Sequence, residues 1–180
     1  MEAIMNQEID GKKQGRWCYY RKDGTLKDEG NYVDGNKEGE WHTWFRNGIL
    51  KETSVYVDGR QEGKYERVYK NGRTKIEGSY VADQQVGIWK WFYKNGKLKE
   101  ERFFTCGTVR VERFNKNGEP VDLKSFKNEE MHGLWREWYD NGQLMWEGYY
   151  KDGGKHGLWR SWNYDGTLDD EINYKDGVRV

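Results

Sequence analysis

Apolar and turn-forming residues recur along this chain with a period of 24. Glycines at 15, 39, 63 and 87 are spaced by 24, as are those at 133 and 157. Nine residues after each comes the second member of an Asn-Gly or Asp-Gly pair: Asp23-Gly24, Asn47-Gly48, Asn71-Gly72, Asn95-Gly96, Asn141-Gly142 and Asp165-Gly166. Asn117-Gly118 supplies the missing copy and places a further start at Val109. Periodicity of this length marks a repeat architecture and has to be read before any single element. The chain divides into a lead-in, 1–14, and seven repeats, 15–38, 39–62, 63–86, 87–108, 109–132, 133–156 and 157–180. The fourth repeat is two residues short, and the fifth opens on Val109 instead of glycine.

Counting the opening residue as position 0, position 2 is Trp17, Trp41, Tyr65, Trp89, Val111, Trp135 and Trp159, and position 17 is Tyr or Phe in every repeat. A second turn signal stands at positions 19 and 20, as in Asp34-Gly35 and Asp152-Gly153. Two turns per repeat leave two strands, about fourteen in all, which at ~4.8 Å per strand make a sheet ~65 Å long. Asn-Gly between alternating apolar residues predicts a two-residue type I′ hairpin, in which both central residues take positive φ. Such a loop at positions 8 and 9 makes cross-strand partners sum to 17. Position 2 then faces position 15, which is Gly30, Gly78 and Gly148 in three repeats and leaves room for an indole. By the same rule position 6, as in Phe45, Tyr93 and Tyr139, faces the leucine at position 11.

One stripe departs from simple alternation. Position 5 is Tyr20, Trp44, Val68, Phe92, Phe114, Trp138 and Trp162, apolar throughout, yet strict period-2 geometry puts it on the face opposite position 2. Either a bulge between positions 2 and 5 turns both toward one core, or the stripe is an exposed aromatic ladder along the second face. Large apolar patches are rare on monomers and mark interaction surfaces. On the second reading the contact residues are Trp44, Phe92, Trp138 and Trp162.

The motif Gly-x-Trp-x-x-aromatic-aromatic-x-Asn-Gly-x-Leu-x-x-Glu-Gly-x-Tyr, running from Gly133 to Tyr150 and closed by His156-Gly157, resembles the MORN repeat. It is most similar to the bacterial variant found in YwqK-family antitoxins of toxin–antitoxin systems, and the likeness spans residues 9–180. The resemblance implies an all-β fold: an elongated repeat meander of antiparallel β-hairpins, a MORN-like single-layer twisted sheet that serves as a platform. It implies neutralisation of a partner protein, or a phospholipid or membrane-surface scaffold as the alternative. The fifth repeat departs from the motif at Val111, Pro120 and Lys124, where an unbroken ladder is in doubt and a bend is expected over 104–124.

Composition sharpens this picture. Leu, Ile, Val and Phe make about 17% of the chain, below the level usual for a globular core, whereas 10 Trp, 13 Tyr and 6 Phe bring aromatics to 16%. With 31 basic and 31 acidic residues there is no charge imbalance of the kind that keeps a chain unfolded, so the rings replace an aliphatic core. No apolar run reaches the ~20 residues of a membrane helix, and no basic-then-apolar start is visible at the amino terminus. The expected localisation is cytoplasmic.

Candidate chemistry is sparse. Four Ser and three His form no GxSxG, HExxH or Cys-His arrangement, so no catalytic residue is expected and the protein is read as a non-enzyme. His132 and His156 share a repeat position, where two imidazoles on adjacent hairpins offer a metal pair, but the repeat itself accounts for them. Cys18 and Cys106 are too few for a disulfide framework or a zinc site. No metal and no cofactor are expected. Glu at position 14 and Lys at position 12 read as solvated cross-strand ladders off the Trp face. Residues 39–108 carry 13 basic and 9 acidic side chains, and 109–180 carry 11 and 14. That asymmetry allows an acidic partner or head-to-tail contact between copies. The partners expected are another protein, a toxin by resemblance, or a second copy as a homo-oligomer. Membrane lipid ranks lower, and nucleic acid is not expected.

Overall fold

Two kinds of tight turn alternate along the chain, and only extended segments run between them. In the computed structural model, which describes residues 5–180, seventeen strands and no helix occur among the described residues. They belong to two units, 1–96 and 97–180. The first unit holds β1 (Gln7–Ile9), β2 (Lys12–Tyr20), β3 (Leu26–Val33), β4 (Asn36–Trp44), β5 (Leu50–Val57), β6 (Arg60–Val68), β7 (Thr74–Val81) and β8 (Gln84–Phe92). Each pairs antiparallel with the next. The second unit holds β9 (Leu98–Thr105), β10 (Thr108–Phe114), β11 (Pro120–Lys127), β12 (Glu130–Met131), β13 (Gly133–Trp138), β14 (Leu144–Lys151), β15 (Gly154–Trp162), β16 (Leu168–Lys175) and β17 (Val178–Arg179). Its neighbours are antiparallel too, with β12 and β13 both lying along β11.

The three strands beyond the expected fourteen are short. β1 comes from the lead-in and flanks β2, β17 flanks β16, and β12 is cut from β13 at His132, whose N–H bonds the Ser125 carbonyl instead of continuing the ladder. The first four residues of the lead-in lie outside the described residues.

The Asn-Gly turns are not type I′. Only their glycine takes positive φ, for example Gly72 at 80°, while the Asn or Asp before it does not. Gly72 N–H bonds the Tyr69 carbonyl and Tyr69 N–H bonds the Arg73 carbonyl, which is the three-residue hairpin built from a type I turn and a left-handed glycine. The residue before the glycine has a different task. Asn71 Oδ1 accepts the N–H of Arg73, and Asn47, Asn141, Asp23 and Asp165 do the same two residues on, as Asx turns do. The type I′ geometry sits at the second turn, where both central residues have positive φ: Asp34 at 49° and Gly35 at 86°, with Val33 opposite Asn36. Ala82-Asp83 and Asn128-Glu129 hold the same geometry without a glycine.

This longer loop changes the register near the hairpin tip. Positions 2 and 15 face each other as expected, in Trp17 opposite Gly30, Tyr65 opposite Gly78 and Trp135 opposite Gly148. Position 11, however, meets position 5 and not position 6: Tyr20 opposite Leu26, Trp44 opposite Leu50, Trp162 opposite Leu168. The residue at position 12, such as Lys27 or Lys51, is the extra member of a β-bulge on the return strand. No residue is inserted between positions 2 and 5 on the outgoing strand. Alternation is kept there, so the two stripes lie on opposite faces.

A second bulge, between hairpins, explains the opening glycine. Glu29 pairs with His42 and Asn31 with Glu38, so β4 carries two more residues than β3 across this step, and Gly39 turns there at φ 71°. Gly63, Gly87 and Gly157 occupy the same bulge. Between β9 and β10 the bulge is gone: six consecutive pairs run from Thr108 opposite Thr105 to Arg113 opposite Glu100. The short fourth repeat and the loss of glycine at Val109 are therefore one event, the removal of a two-residue bulge together with the residue type it needed. At the expected bend, the β9–β10 ladder itself is unbroken.

Candidate functional site

The first face carries position 2. Its rings are the core: Trp41, Tyr65, Trp89, Val111 and Trp159 are buried, Trp89 to 1% exposure. The indoles of Trp41, Trp89 and Trp159 cross not their own hairpin partners but the position 15 residue of the preceding repeat. A Cβ added at Gly78 would fall 2.2 Å from Trp89, and the same holds for Gly30 under Trp41 and Gly148 under Trp159. The indole N–H of Trp89 donates to the Ser79 carbonyl at 3.0 Å, and those of Trp41 and Trp159 donate to Asn31 and Tyr149. Tyrosines of position 17 stand edge-on to these rings, as Tyr80 to Trp89 at 4.8 Å. Lysines close the layer from outside: Lys37 Nζ lies 4.2 Å from the Trp41 ring and Lys155 Nζ 4.2 Å from Trp159, in cation–π geometry.

This packing shifts several hydroxyls. Burial pushes Tyr65 and Tyr32 above the ordinary tyrosine value. Burial pushes Tyr19 up as well, but the hydrogen bond from Lys13 at 2.8 Å, the contact with Tyr32 and the charges of Lys13 and Lys37 outweigh it and leave Tyr19 lowered. In the fifth repeat, where Val111 replaces Trp, ion pairs take over: Arg113 bridges Glu100 and Asp122, and Lys124 bridges Asp122 and Glu137. Lys124 Nζ also lies 4.4 Å from the Trp135 ring.

The second face carries position 5. Trp44, Phe92, Trp138 and Trp162 are all half-buried there, and Tyr20 is 57% exposed. The stripe is thus neither sunk in the Trp core nor fully bare. Leucines of position 11 lie beside it, with Leu50 and Leu168 exposed. Of the four candidate contact residues, Trp138 lines a groove of about 210 Å³ together with Phe114, Pro120, Leu123 and Arg136. In the first unit Val68, of the same stripe, lines a groove of about 260 Å³ with Leu50 and Glu66.

Position 6 is a feature the sequence reading misplaced. Its side chain clamps the next repeat: Tyr69 Oη donates to the Phe92 carbonyl at 2.7 Å, Tyr139 Oη to the Trp162 carbonyl at 2.9 Å, and Arg21 to the Trp44 carbonyl. The backbones of three of the four candidate contact residues, Trp44, Phe92 and Trp162, are therefore held by the neighbouring hairpin. Glu at position 14 pairs with Arg at position 3 and not with Lys at position 12, as in Arg136 with Glu147 and Arg160 with Glu171. His132 and His156 do not meet. Each sits with Nδ1 beside the next turn, at Asp152 and Asp176. Among the described residues no three His, Cys, Asp or Glu side chains gather as a metal set. Cys18 is buried and Cys106 exposed, both free.

Two crystal structures of TarM are similar to parts of the chain. One, of an S. aureus TarM mutant in complex with fondaparinux, alpha-GlcNAc-glycerol and UDP, shows 12% identity over 52% of this chain and 19% of that chain, with a TM-score of 0.34. The other shows 14% identity over 51% of this chain and 20% of that chain, with a TM-score of 0.33. The chain thus covers about a fifth of the TarM chains, and likeness of this degree bears on neither fold nor function. No curated protein matches. The family described as the MORN repeat variant matches residues 13–34, 85–105, 131–152 and 155–176. Each match begins two residues before an opening glycine, in phase with the hairpins described above, so the chain is a MORN-repeat protein.

Proposed function

We propose that the chain is a non-catalytic interaction protein that binds another protein along the second face of its sheet. The observation that carries this reading is the position 5 stripe. Trp44, Phe92, Trp138 and Trp162 lie off the self-covered Trp face, keep part of their surface in solvent, and in Trp44, Trp138 and Trp162 stand opposite leucines. Half-buried aromatic rings of this kind are frequent energetic anchors of interfaces. The finer form, neutralisation of a toxin, rests on the family resemblance alone.

The test is capture of a partner from the native host, compared between wild type and the Trp44→Ala/Trp138→Ala variant, with flotation on anionic vesicles run beside it. Loss of the captured protein by at least ~10-fold in the variant is expected. Capture unchanged by the variant, or strong flotation with no captured protein, overturns the reading.

A further inference from the structure

The edge formed by the first turns has a charge pattern that neither face explains. In the first unit the turn segments 21–27, 45–51 and 69–75 hold eight Lys or Arg and one acid, Asp23. The equivalent segments of the second unit, 115–121, 139–145 and 163–169, hold one Lys and four acids, Glu119, Asp140, Asp165 and Asp169. Over these segments the first edge is net +7 and the second net −3, and the turn segment 93–99, at the boundary of the units, adds Lys94, Lys97 and Lys99.

Shape follows charge. A concavity of about 510 Å³ in the first unit opens at this edge, lined by apolar Phe45, Val68 and Tyr69 and by the cationic Arg67, Lys70, Lys75 and Lys94. Lys70 and Lys94 are exposed. The second unit presents the converse at the same turns. Tyr164 is 55% exposed, rests edge-on against Tyr139 at 5.3 Å, and its hydroxyl donates to Asp140 at 2.9 Å. It is an aromatic knob flanked by carboxylates. Successive first turns are two strands apart in both units, so cations and acids repeat at the same pitch of ~10 Å.

We propose that the basic turn edge of the first unit receives the acidic turn edge of the second unit from another copy of this chain. Tyr164 enters the Phe45–Val68–Tyr69 concavity, and Asp140 and its neighbours face Lys70 and Lys94. Isolated exposed ion pairs contribute little; a desolvated ring seated among several cations contributes more. The association is heterologous in its contact, since unlike surfaces meet, and the concavity takes in Val68 but no other member of the position 5 stripe.

Sedimentation velocity of the full chain at ~10–100 µM tests this, at low salt and at ~0.5 M salt, where exposed charges are screened. Wild type is expected to self-associate at low salt and to dissociate at high salt. Lys70→Glu/Lys94→Glu and Glu119→Lys/Asp140→Lys should each weaken association at least ~10-fold, and mixing the two variants should restore it, because the reversed edges are again complementary. Tyr164→Ser alters no charge and should also weaken it, which separates a seated knob from diffuse attraction. Near-UV circular dichroism checks that each variant is folded. A wild type that stays monomeric at low salt, or association indifferent to both charge reversals, overturns the proposal. So does a monomer that uses Lys70 and Lys94 to bind anionic vesicles or nucleic acid.

Discussion

At the scale of single residues the sheet uses glycine for two unrelated reasons. The opening and turn glycines take positive φ, whereas Gly30, Gly78 and Gly148 do not and are needed because a ring lies on them. Gly78→Ala would put a methyl group 2.2 Å from Trp89, with no flexible atom to yield, since the contact is the fused edge of an indole buried to 1%. The expected cost is ~1–3 kcal/mol, measured by chemical denaturation. Trp89→Leu alone removes much of the core of that repeat, at ~2–5 kcal/mol by analogy with other large-to-small core changes. Combined, the two should cost less than their sum by more than ~0.5 kcal/mol, because the smaller side chain relieves the clash. Strict additivity would show that Trp89 does not rest on Gly78 in solution.

At the scale of elements, most of the hairpin was legible because turn residues and the Trp stripe recur with a fixed offset. Trp17 opposite Gly30 and Tyr65 opposite Gly78 follow from counting alone. Less legible was the turn type. Asn-Gly is compatible with a two-residue type I′ loop and with a longer loop closed by a left-handed glycine, and only the hydrogen bonds of Tyr69 to Arg73 and Gly72 distinguish them. That one difference moves position 6 off the leucine and onto the next repeat, so Tyr139 reads from the sequence as a packing residue and in the structure is a clamp. The charges of Lys70, Lys94 and Asp140 stand in the sequence, but their repetition gains meaning only once the first turns of each unit are seen to share an edge. The missing bulge at Val109 makes its own prediction. Inserting two residues with glycine between Thr108 and Val111, as in the other repeats, should be tolerated to within ~1–2 kcal/mol, because it recreates an existing bulge. Inserting one residue should be far worse, since a single-residue slip sends Val111 and the strand after it to the wrong face. Equal losses of stability for the two insertions would refute the bulge account.

At the scale of the whole molecule, stability is distributed along a ladder in which each hairpin touches only its neighbours, and no layer covers the sheet among the described residues. A two-stranded hairpin is marginal alone, so the buried ring of one repeat depends on the glycine, tyrosine and lysine supplied by the repeat before it. Damage should therefore spread along the ladder and weaken with distance. Trp159, buried over Gly148 and held by the Tyr149 carbonyl, is a suitable place to begin. Trp159→Ala removes that ring and its hydrogen bond, at ~3–5 kcal/mol for the repeat concerned. Amide hydrogen exchange should then accelerate most in β14, β15 and β16, less in β10 and β11, and not measurably in β3 to β6 of the other unit. A uniform acceleration across both units would mean that the chain unfolds as one cooperative body, and the nearest-neighbour description would have to be abandoned. Local acceleration would also bear on binding, because the Tyr139 clamp on the Trp162 carbonyl lies within the affected hairpins. Trp159→Ala should then weaken partner capture through Trp162 while leaving contacts made by Trp44 in the first unit intact.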